Sequence, residues 1–318
     1  MTLYLKYRPQ TISELDNTSV RVTLTNVLKS GSVPHAYLFA GPRGTGKTSL
    51  ARILAKAINC ENPGKDGEPC NKCESCKSIT SGTNIDVIEM DAASNRGIDD
   101  IRILRDGVKL APAKSKAKVY IIDEAHMLTT EASNALLKTL EEPPAHVYFL
   151  MATTNPEKLI ETIKSRTTLV PFTKATGEEI ARSLKRVVEG EKIKIKDDDL
   201  TKLAEISKGS FRDAVKALEQ YTQDSSFINN SSQIDIDNFV EDLIKKDIKK
   251  VLENIKKVSN VGIFTEELID KLHKKLLISH SSELISLLEF ILQSQELNKV
   301  SPIEELPLEL ALIKWCKI

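Results

Sequence analysis

The sequence predicts an α/β domain, in which helices cover both faces of a parallel sheet, followed by regions that are entirely helical. In the first half of the chain, short continuous apolar runs alternate with helical patterns. Strands that are buried on both faces have this appearance, and their alternation with helices predicts a doubly wound sheet. After about residue 173 the apolar runs stop and only helical patterns remain.

Length and composition limit the number of domains and the class of protein. At about 150 residues per domain, 318 residues predict two or three domains. The 45 basic and 45 acidic side chains cancel, so net charge identifies no partner, although a local basic face stays open. No apolar run reaches the length of about 18 residues that a membrane span needs, and the N-terminus lacks the apolar region of a signal peptide. We therefore expect a cytoplasmic protein, in which disulfides are rare.

Four strands are expected, with a fifth candidate. They are AYLFAG (36–41), IDVIEMDA (85–92), KVYIIDEA (118–125), VYFLMATT (147–154) and the candidate TLVPF (168–172).

The helical part divides in two. Thr176 and Glu179 have the spacing of a capping box and open the first of three helices, which predicts a small lid domain at 174–230. The polar segment 224–233 is interpreted as a linker. Beyond it, apolar residues recur at helical spacing, which predicts a helical domain at 235–318 and leaves 1–173 for the α/β domain.

The stretch GPRGTGKT lies between a predicted strand and a predicted helix and fits a phosphate-binding loop. Its glycines allow successive N–H groups to face a phosphate, and the helix that follows adds its positive end. Lys47 is expected to reach the β and γ phosphates, and Thr48 to bind Mg²⁺. The predicted nucleotide contacts are Gly41, Pro42, Arg43, Gly44, Thr45, Gly46, Lys47, Thr48 and Ser49.

A buried strand ends in Asp123 and Glu124. Asp123 can hold Mg²⁺ through water, and Glu124 can orient the attacking water. With the phosphate loop upstream, these two acids predict a nucleoside triphosphatase. The letters DEAH (123–126) also occur in helicases, but those enzymes need a second motor domain with an arginine-rich motif, and none is recognisable in the sequence.

Three further residues indicate which class of nucleoside triphosphatase the chain resembles. Thr154 follows the next strand, Arg166 lies in KSRT, and Arg212 lies in KGSFRDA. This combination resembles the AAA+ family, which implies that Thr154 is sensor 1, Arg166 is an arginine finger that acts in trans, and Arg212 is sensor 2. The alternative for each arginine is an ordinary surface charge.

Longer stretches resemble one branch of that family. They are KYRPQTISEL, HAYLFAGPRGTGKTSLARILAKAINC, DAAS, KVYIIDEAHMLTTEASNALLKTLEEPP and GSFRDA. Together they resemble the gamma/tau clamp-loader subunits of bacterial DNA polymerase III, from about residue 4 to the end of the chain.

The resemblance implies a DNA-dependent ATPase in a five-membered open ring, which opens a sliding clamp and places it on primed DNA. The resemblance also implies that this ATPase is part of the polymerase holoenzyme but does not carry the polymerase active site. The resemblance also implies adenine contacts at Tyr7, Arg8 and Pro9, and a collar role for the last domain.

The chain departs from the family pattern in three places. The family often has glycine, glutamine and glutamate where this chain has DNTS at 16–19. Thr167 replaces a cysteine after the arginine at 166. The long extension of the tau form is missing, so the chain resembles the short gamma form or a truncated one.

Four of the five cysteines, Cys60, Cys70, Cys73 and Cys76, are closely spaced. Four thiolates satisfy tetrahedral Zn²⁺ and leave no open position, which predicts a structural site in an insertion at about 60–80. An iron–sulfur cluster is the alternative. The clamp-loader resemblance favours zinc. The fifth, Cys316, is expected to pack rather than react.

DNA contacts are harder to assign. Arg96 lies near a predicted helix start, and Arg102 and Arg105 lie on that helix. All three are candidates for phosphate contacts, with solvated charge as the alternative. The sequence has no recognisable basic patch rich in aromatic residues, which would indicate base stacking. Largely sequence-independent binding of DNA is therefore expected. Two other functions stay open: a different AAA+ DNA remodeller, and a non-hydrolysing subunit of the loader.

Overall fold

The computed structural model describes residues 2–224, 236–256, 258, 261–298, 301–303 and 305–317. The chain divides into two compact units, Met1–Gln223 and Asp224–Ile318. Apart from Asp224, the predicted linker at 224–233 lies outside the described residues. The further division of the first unit at about residue 173 stays a prediction.

The first unit contains a sheet of five parallel strands in the order β2-β3-β4-β1-β5. The strands are β1 Ala36–Ala40, β2 Val87–Asp91, β3 Lys118–Asp123, β4 Val147–Thr153 and β5 Thr168–Pro171. All five expected strands are confirmed, including the candidate fifth, each one to three residues shorter than its apolar run.

Both faces of the sheet are buried. Successive side chains of a strand point to opposite faces, and in β1 Tyr37 and Phe39 join one core cluster while Ala36 and Leu38 join the other. The predicted sheet with helices on both faces is therefore confirmed.

Ten α-helices of the first unit are described. They are α1 Leu3–Lys6, α2 Thr18–Ser30, α3 Lys47–Asn59, α4 Glu74–Ser81, α5 Ile98–Val108, α6 Thr130–Glu141, α7 Glu161–Lys164, α8 Gly177–Glu191, α9 Asp197–Ile206 and α10 Phe211–Gln223. The capping box of α8 is present: the Glu179 N–H donates to Thr176 Oγ1, and Glu179 Oε2 accepts from the Thr176 N–H.

The second unit is helical throughout its described part. Its helices are α11 Ile236–Ile244, α12 Ile248–Ile255, α13 Val261–Ser279, α14 Ser282–Asn298 and α15 Leu306–Lys317. The apolar spacing from 236 to 255 continues across a break between α11 and α12, where Lys246 adopts a left-handed conformation with φ 55°. Cys316 packs against this core, as expected.

The core of the second unit surrounds Trp315, whose indole N–H donates to Leu243 O at 2.9 Å. Phe239 is fully buried and lies edge-on to Phe264, with ring centroids 5.0 Å apart.

Among the described residues of the whole chain, no helix combines the length and apolar character that crossing a membrane requires.

Trp315 is the single tryptophan of the chain, so its fluorescence reports unfolding of the second unit. Phe239→Ala should lower the free energy of unfolding of this unit by about 3–5 kcal/mol, because it removes a buried ring and leaves a cavity. Urea titration followed by Trp315 fluorescence measures the shift.

Ile278 provides the control, because 84% of its surface is exposed. Ile278→Ala should change the free energy of unfolding by no more than about 0.5 kcal/mol. Equal midpoints for Phe239→Ala and Ile278→Ala would contradict the core assignment.

Candidate nucleotide site and cysteine module

The loop between β1 and α3 is shaped for a bound anion. Gly46 has φ 102°, in the left-handed region that favours glycine, and it immediately precedes α3. The ammonium of Lys47 is buried and donates to Gly41 O and Pro42 O, both at 2.8 Å. A positive helix end and a buried cation therefore lie at one point.

Thr48 and Asp123 lie together at the carboxyl end of β3. Thr48 Oγ1 donates to Asp123 Oδ2 at 2.8 Å. Hydroxyl and carboxylate oxygens are the kind of ligands that Mg²⁺ prefers. The two predicted magnesium ligands are thus adjacent, and their donor set fits the ion.

Glu124 follows in a strained position, with φ 48° and ψ 46°, which costs a non-glycine residue about 1 kcal/mol or more. Its Oε2 accepts from the Thr154 N–H at 3.1 Å and from Thr154 Oγ1 at 2.9 Å. His126 Nδ1 lies 3.4 Å from the same oxygen and 3.0 Å from Thr153 Oγ1. The carboxylate is therefore held at the edge of the sheet by the ends of two strands.

A pocket connects this edge with the N-terminal segment and with α10. Residues that the sequence predicted line it together: Tyr7, Arg8, Pro9, Arg43, Gly44, Thr45, Gly46, Lys47, Thr48, Ser49, Asp123, Glu124 and Arg212. Gly41 and Pro42 contribute through their contacts with Lys47, and Thr154 through its contacts with Glu124.

Cations crowd this pocket. Burial, together with the charges of Arg52 and Arg212, lowers the pKa of Arg8 to about 10, although Glu89 and Asp123 oppose the shift. Burial also lowers the pKa of Lys47, although Glu124 and Asp123 oppose that shift. Because desolvation and mutual repulsion both disfavour these charges, a bound polyanion would stabilise them.

Arg166 lies elsewhere. Its Nη1 donates to Thr162 O at 3.1 Å, and its Nη2 lies 3.3 Å from Glu141 Oε2. It does not line the pocket of its own chain. Arg102 and Arg105 lie on α5 beside Asp99 and Asp106, at 2.9 and 3.9 Å, and a DNA role for them or for Arg96 stays a prediction.

Sequence reasoning missed part of the pocket wall. The additional lining residues are Tyr4, Leu5, Leu15, Asp16, Asn17, Val20, Phe172, Ser183, Phe211 and Val215. Phe211 and Val215 are spaced i and i+4 around Arg212, a signal that could have marked one face of α10.

The start of α10 touches the phosphate loop directly. The Phe211 N–H donates to Gly44 O at 3.0 Å. A Cβ at Gly44 would lie 2.0 Å from Ser210 Oγ. Glycine is therefore required here for close approach as well as for the turn.

The four clustered cysteines form a second site. The sulfurs of Cys60, Cys70, Cys73 and Cys76 all lie within 4.8 Å of one another. A tetrahedral ion with Zn–S bonds of about 2.3 Å separates its sulfurs by roughly 3.8 Å, so the set fits one ion with little adjustment. In an iron–sulfur cluster different irons bind the cysteines and spread them further, which favours the single ion.

Backbone N–H groups support the thiolates. The N–H groups of Cys70, Cys73 and Cys76 donate to the sulfurs of Cys60, Cys70 and Cys73, at 3.3, 3.3 and 3.4 Å. Hydrogen bonds from Lys72 and Cys73 lower the pKa of Cys70 to about 6. Burial raises the pKa of Cys60 and of Cys76, and a bound cation would stabilise these two as thiolates.

Comparison with known proteins gives concordant results. A family model described as DNA polymerase III, delta subunit, matches residues 17–176. The Bacillus subtilis protein named DNA polymerase III subunit tau is 43% identical over 279 residues, which are 84% of this chain and 49% of that protein. The Mycoplasma pneumoniae DNA polymerase III subunit gamma/tau is 48% identical over 219 residues, 69% of this chain and 32% of that protein.

The chain thus spans about half the length of the first of these curated relatives and about a third of the second. Among solved structures, a variant of Thermotoga maritima RuvB gives a TM-score of 0.51 at 21% identity, covering 68% of this chain and 65% of that one. This likeness concerns the fold alone, which is the AAA+ fold with added helical domains.

The cysteine module should bind one zinc ion per chain. Structural zinc sites contribute about 10–16 kcal/mol of apparent binding free energy near neutral pH, so Cys73→Ser should release the metal and unfold the module. Elemental analysis of protein purified without oxygen measures the metal content.

Cys316→Ser provides the control, because this cysteine lies outside the cluster, and its metal content should match the wild type. Iron with sulfide in the purified protein, or no metal at all, would contradict the assignment.

Proposed function

The chain belongs to the gamma/tau family of DNA polymerase III subunits, and we propose that it is the ATPase motor of a clamp loader. In this proposal it binds and hydrolyses ATP to open a sliding clamp and load it on primed DNA. The observation that carries the proposal is the gathering of Lys47, Thr48, Asp123 and Glu124 in one pocket.

ATP binding uses groups of the phosphate loop. Lys47 compensates charge on the β and γ phosphates, and the N–H groups around Gly46 donate hydrogen bonds to the phosphate oxygens. Mg²⁺, which neutralises phosphate charge when bound, would be held by Thr48 and, through water, by Asp123. Tyr7, Arg8 and Pro9 form the wall proposed for the adenine.

Hydrolysis uses the edge of β3 and β4. Glu124 orients the attacking water, and Thr154 holds its carboxylate through two hydrogen bonds on Oε2. Those bonds leave Oε1 for the water. Thr154 thereby acts as sensor 1, because a change at the γ-phosphate alters the position of the group it holds.

The helices after β5 act as a lid. Arg212 brings a cation from α10 into the pocket, where it acts as sensor 2 on the phosphates. The bond from the Phe211 N–H to Gly44 O connects the same helix to the loop itself. Phosphate binding and lid position are therefore coupled through two adjacent residues of α10.

The remaining machinery requires neighbours. Arg166 acts in trans, on the ATP of the next subunit in a five-membered assembly. The helical unit at the C-terminal end provides the collar that holds the ring together. The clamp and primed DNA are the substrates of this assembly, and the DNA is bound through its backbone. As a bacterial replication protein, the chain is expected to work in the cytoplasm.

Two other functions remain to be separated by experiment. A different AAA+ DNA remodeller would hydrolyse ATP without stimulation by the clamp. A non-hydrolysing loader subunit would show no turnover in any mixture. Hydrolysis that rises when both clamp and primed DNA are added to the reconstituted loader supports the motor.

Lys47→Ala should abolish tight ATP binding, weakening it by roughly 10- to 100-fold, because charge-assisted hydrogen bonds contribute about 1.5–3 kcal/mol. Glu124→Gln should bind ATP normally and fail to hydrolyse it. Titration with a fluorescent ATP analogue and phosphate release measure the two effects.

Glu142→Gln removes an exposed carboxylate beyond the end of α6 and should leave binding and hydrolysis unchanged. Equal ATP affinity for the wild type and Lys47→Ala would falsify the phosphate-site assignment.

Arg166→Ala should leave ATP binding by the isolated chain unchanged and lower stimulated hydrolysis in the assembled loader by a factor of about 10³ or more, since an arginine finger stabilises transition-state charge. Mixing Arg166→Ala with Lys47→Ala subunits should restore activity at interfaces that pair an intact Lys47 with an intact Arg166.

Lys164→Ala is the matched control, because this cation lies two positions away and pairs with Glu161. Its stimulated hydrolysis should match the wild type. Undiminished hydrolysis in a fully assembled Arg166→Ala loader would rule out the finger.

A further inference from the structure

Helix α3 connects the two sites. It begins at Lys47 in the phosphate loop and ends at Asn59, and Cys60 of the cysteine module is its C-cap residue. Seven of its side chains are almost inaccessible to solvent. The helix is therefore a fixed element that both sites share.

Lys56, near the end of α3, is an unusual member of this helix. Only 1% of its surface is exposed, and its Nζ donates to Gln10 O at 2.8 Å, Gln10 Oε1 at 2.7 Å and Asn71 Oδ1 at 2.7 Å. An ammonium has three N–H donors, so all three are satisfied, and each by an uncharged oxygen. A buried cation held this way is a specific connection and not a surface charge.

The two partners of Lys56 belong to different sites. Gln10 follows the Tyr7–Arg8–Pro9 wall of the nucleotide pocket, and its Nε2 donates to Arg8 O at 3.0 Å. Asn71 lies between Cys70 and Cys73 in a left-handed conformation with φ 55°. One ammonium thus joins the loop that carries two sulfur ligands to the segment that lines the pocket.

Glu68 makes a second connection between the same parts. Its two carboxylate oxygens accept from the Ile12 N–H at 2.9 Å and the Ser13 N–H at 2.8 Å. The segment is held from its other side by the lid, where Arg186 Nη1 donates to Glu14 O at 2.8 Å. Residues 10–13 therefore depend on the cysteine module for their position.

We infer that the cysteine module braces the nucleotide pocket, and that Lys56 is the positioning residue through which order in the module fixes the Tyr7–Arg8–Pro9 wall. The inference rests on the proposed function, since it concerns the affinity of the same pocket for ATP. It goes beyond that function, because it predicts that zinc binding and nucleotide binding are thermodynamically linked. Such a coupling is reciprocal: each ligand raises the affinity for the other by the same factor.

The first test measures the affinity of the full chain for a fluorescent non-hydrolysable ATP analogue, with zinc content determined on each sample. Lys56→Met keeps the length of the side chain and removes its donors. Asn71→Gly removes a single acceptor, and glycine suits the left-handed backbone at that position. Both variants should bind the analogue about 5-fold or more weakly while retaining zinc.

Lys118→Met is the matched control. Lys118 is also buried, donates to a backbone carbonyl, Gly107 O, at 2.9 Å, and begins β3 at the end away from the pocket. Its loss should leave the affinity for the analogue within twofold of the wild type. Should Lys56→Met fail to fold, Asn71→Gly carries the test.

The second test measures zinc affinity by competition with a chromophoric chelator, with and without the analogue. In the wild type, saturating analogue should raise the affinity for zinc about 5-fold or more, and in Asn71→Gly this rise should disappear. Unchanged analogue affinity in the zinc-loaded variants, or a zinc affinity that does not respond to the analogue in the wild type, overturns the inference. A wild type that does not bind the analogue contradicts the proposed function instead.

Discussion

The position of α3 is the constraint on which the rest of the first unit depends. A phosphate loop works only if the first N–H groups of the helix and the lysine after the last glycine face one point. That arrangement requires a helix that cannot shift, and burial of Leu50, Ile53 and Leu54 against the sheet provides it. The loop can then hold Gly46 in a left-handed conformation, because the strand before it and the helix after it are both fixed.

One wall of the pocket has no regular secondary structure and depends on contacts from elsewhere in the unit. The N-terminal segment is irregular from Tyr7 to Asn17. Hydrogen bonds from the lid helix α8 and from the cysteine module keep it in place, and Arg186 pairs with Asp16 where the segment meets the lid. Each of these bonds is worth about 1 kcal/mol or somewhat more. The position of this wall is therefore set by its contacts with the lid helix and with the cysteine module.

The neutral total charge of the chain conceals a strongly uneven local distribution. Arg8, Lys47 and Arg212 come within range of one another in the pocket, as the shifts in the pKa values of Arg8 and Lys47 indicate. Asp123 and Glu124, at the carboxyl edge of the sheet, oppose the lowering of the Lys47 pKa. The two acids face a metal ion and a water in the proposed mechanism, while the three cations face phosphate. The opposite charges are therefore divided by function within one pocket.

The sequence by itself determined the sheet, its five strands, the loop, the carboxylates at the end of β3 and the cysteine cluster, because each depends on residues that are neighbours along the chain. The local signals are strand periodicity, the spacing of glycine and lysine, and the two-residue gaps between cysteines. They can be recognised without knowledge of the fold. Only the tertiary structure brought Phe211 onto Gly44, Asp16 and Asn17 into the pocket, and Gln10 and Asn71 onto Lys56. These contacts join segments between 15 and 167 positions apart, and a lysine in an apolar helix face gives no sign of which oxygens will surround it. Their partners are chosen by packing of the whole unit, which brings buried polar groups together because a buried polar group without a partner costs free energy.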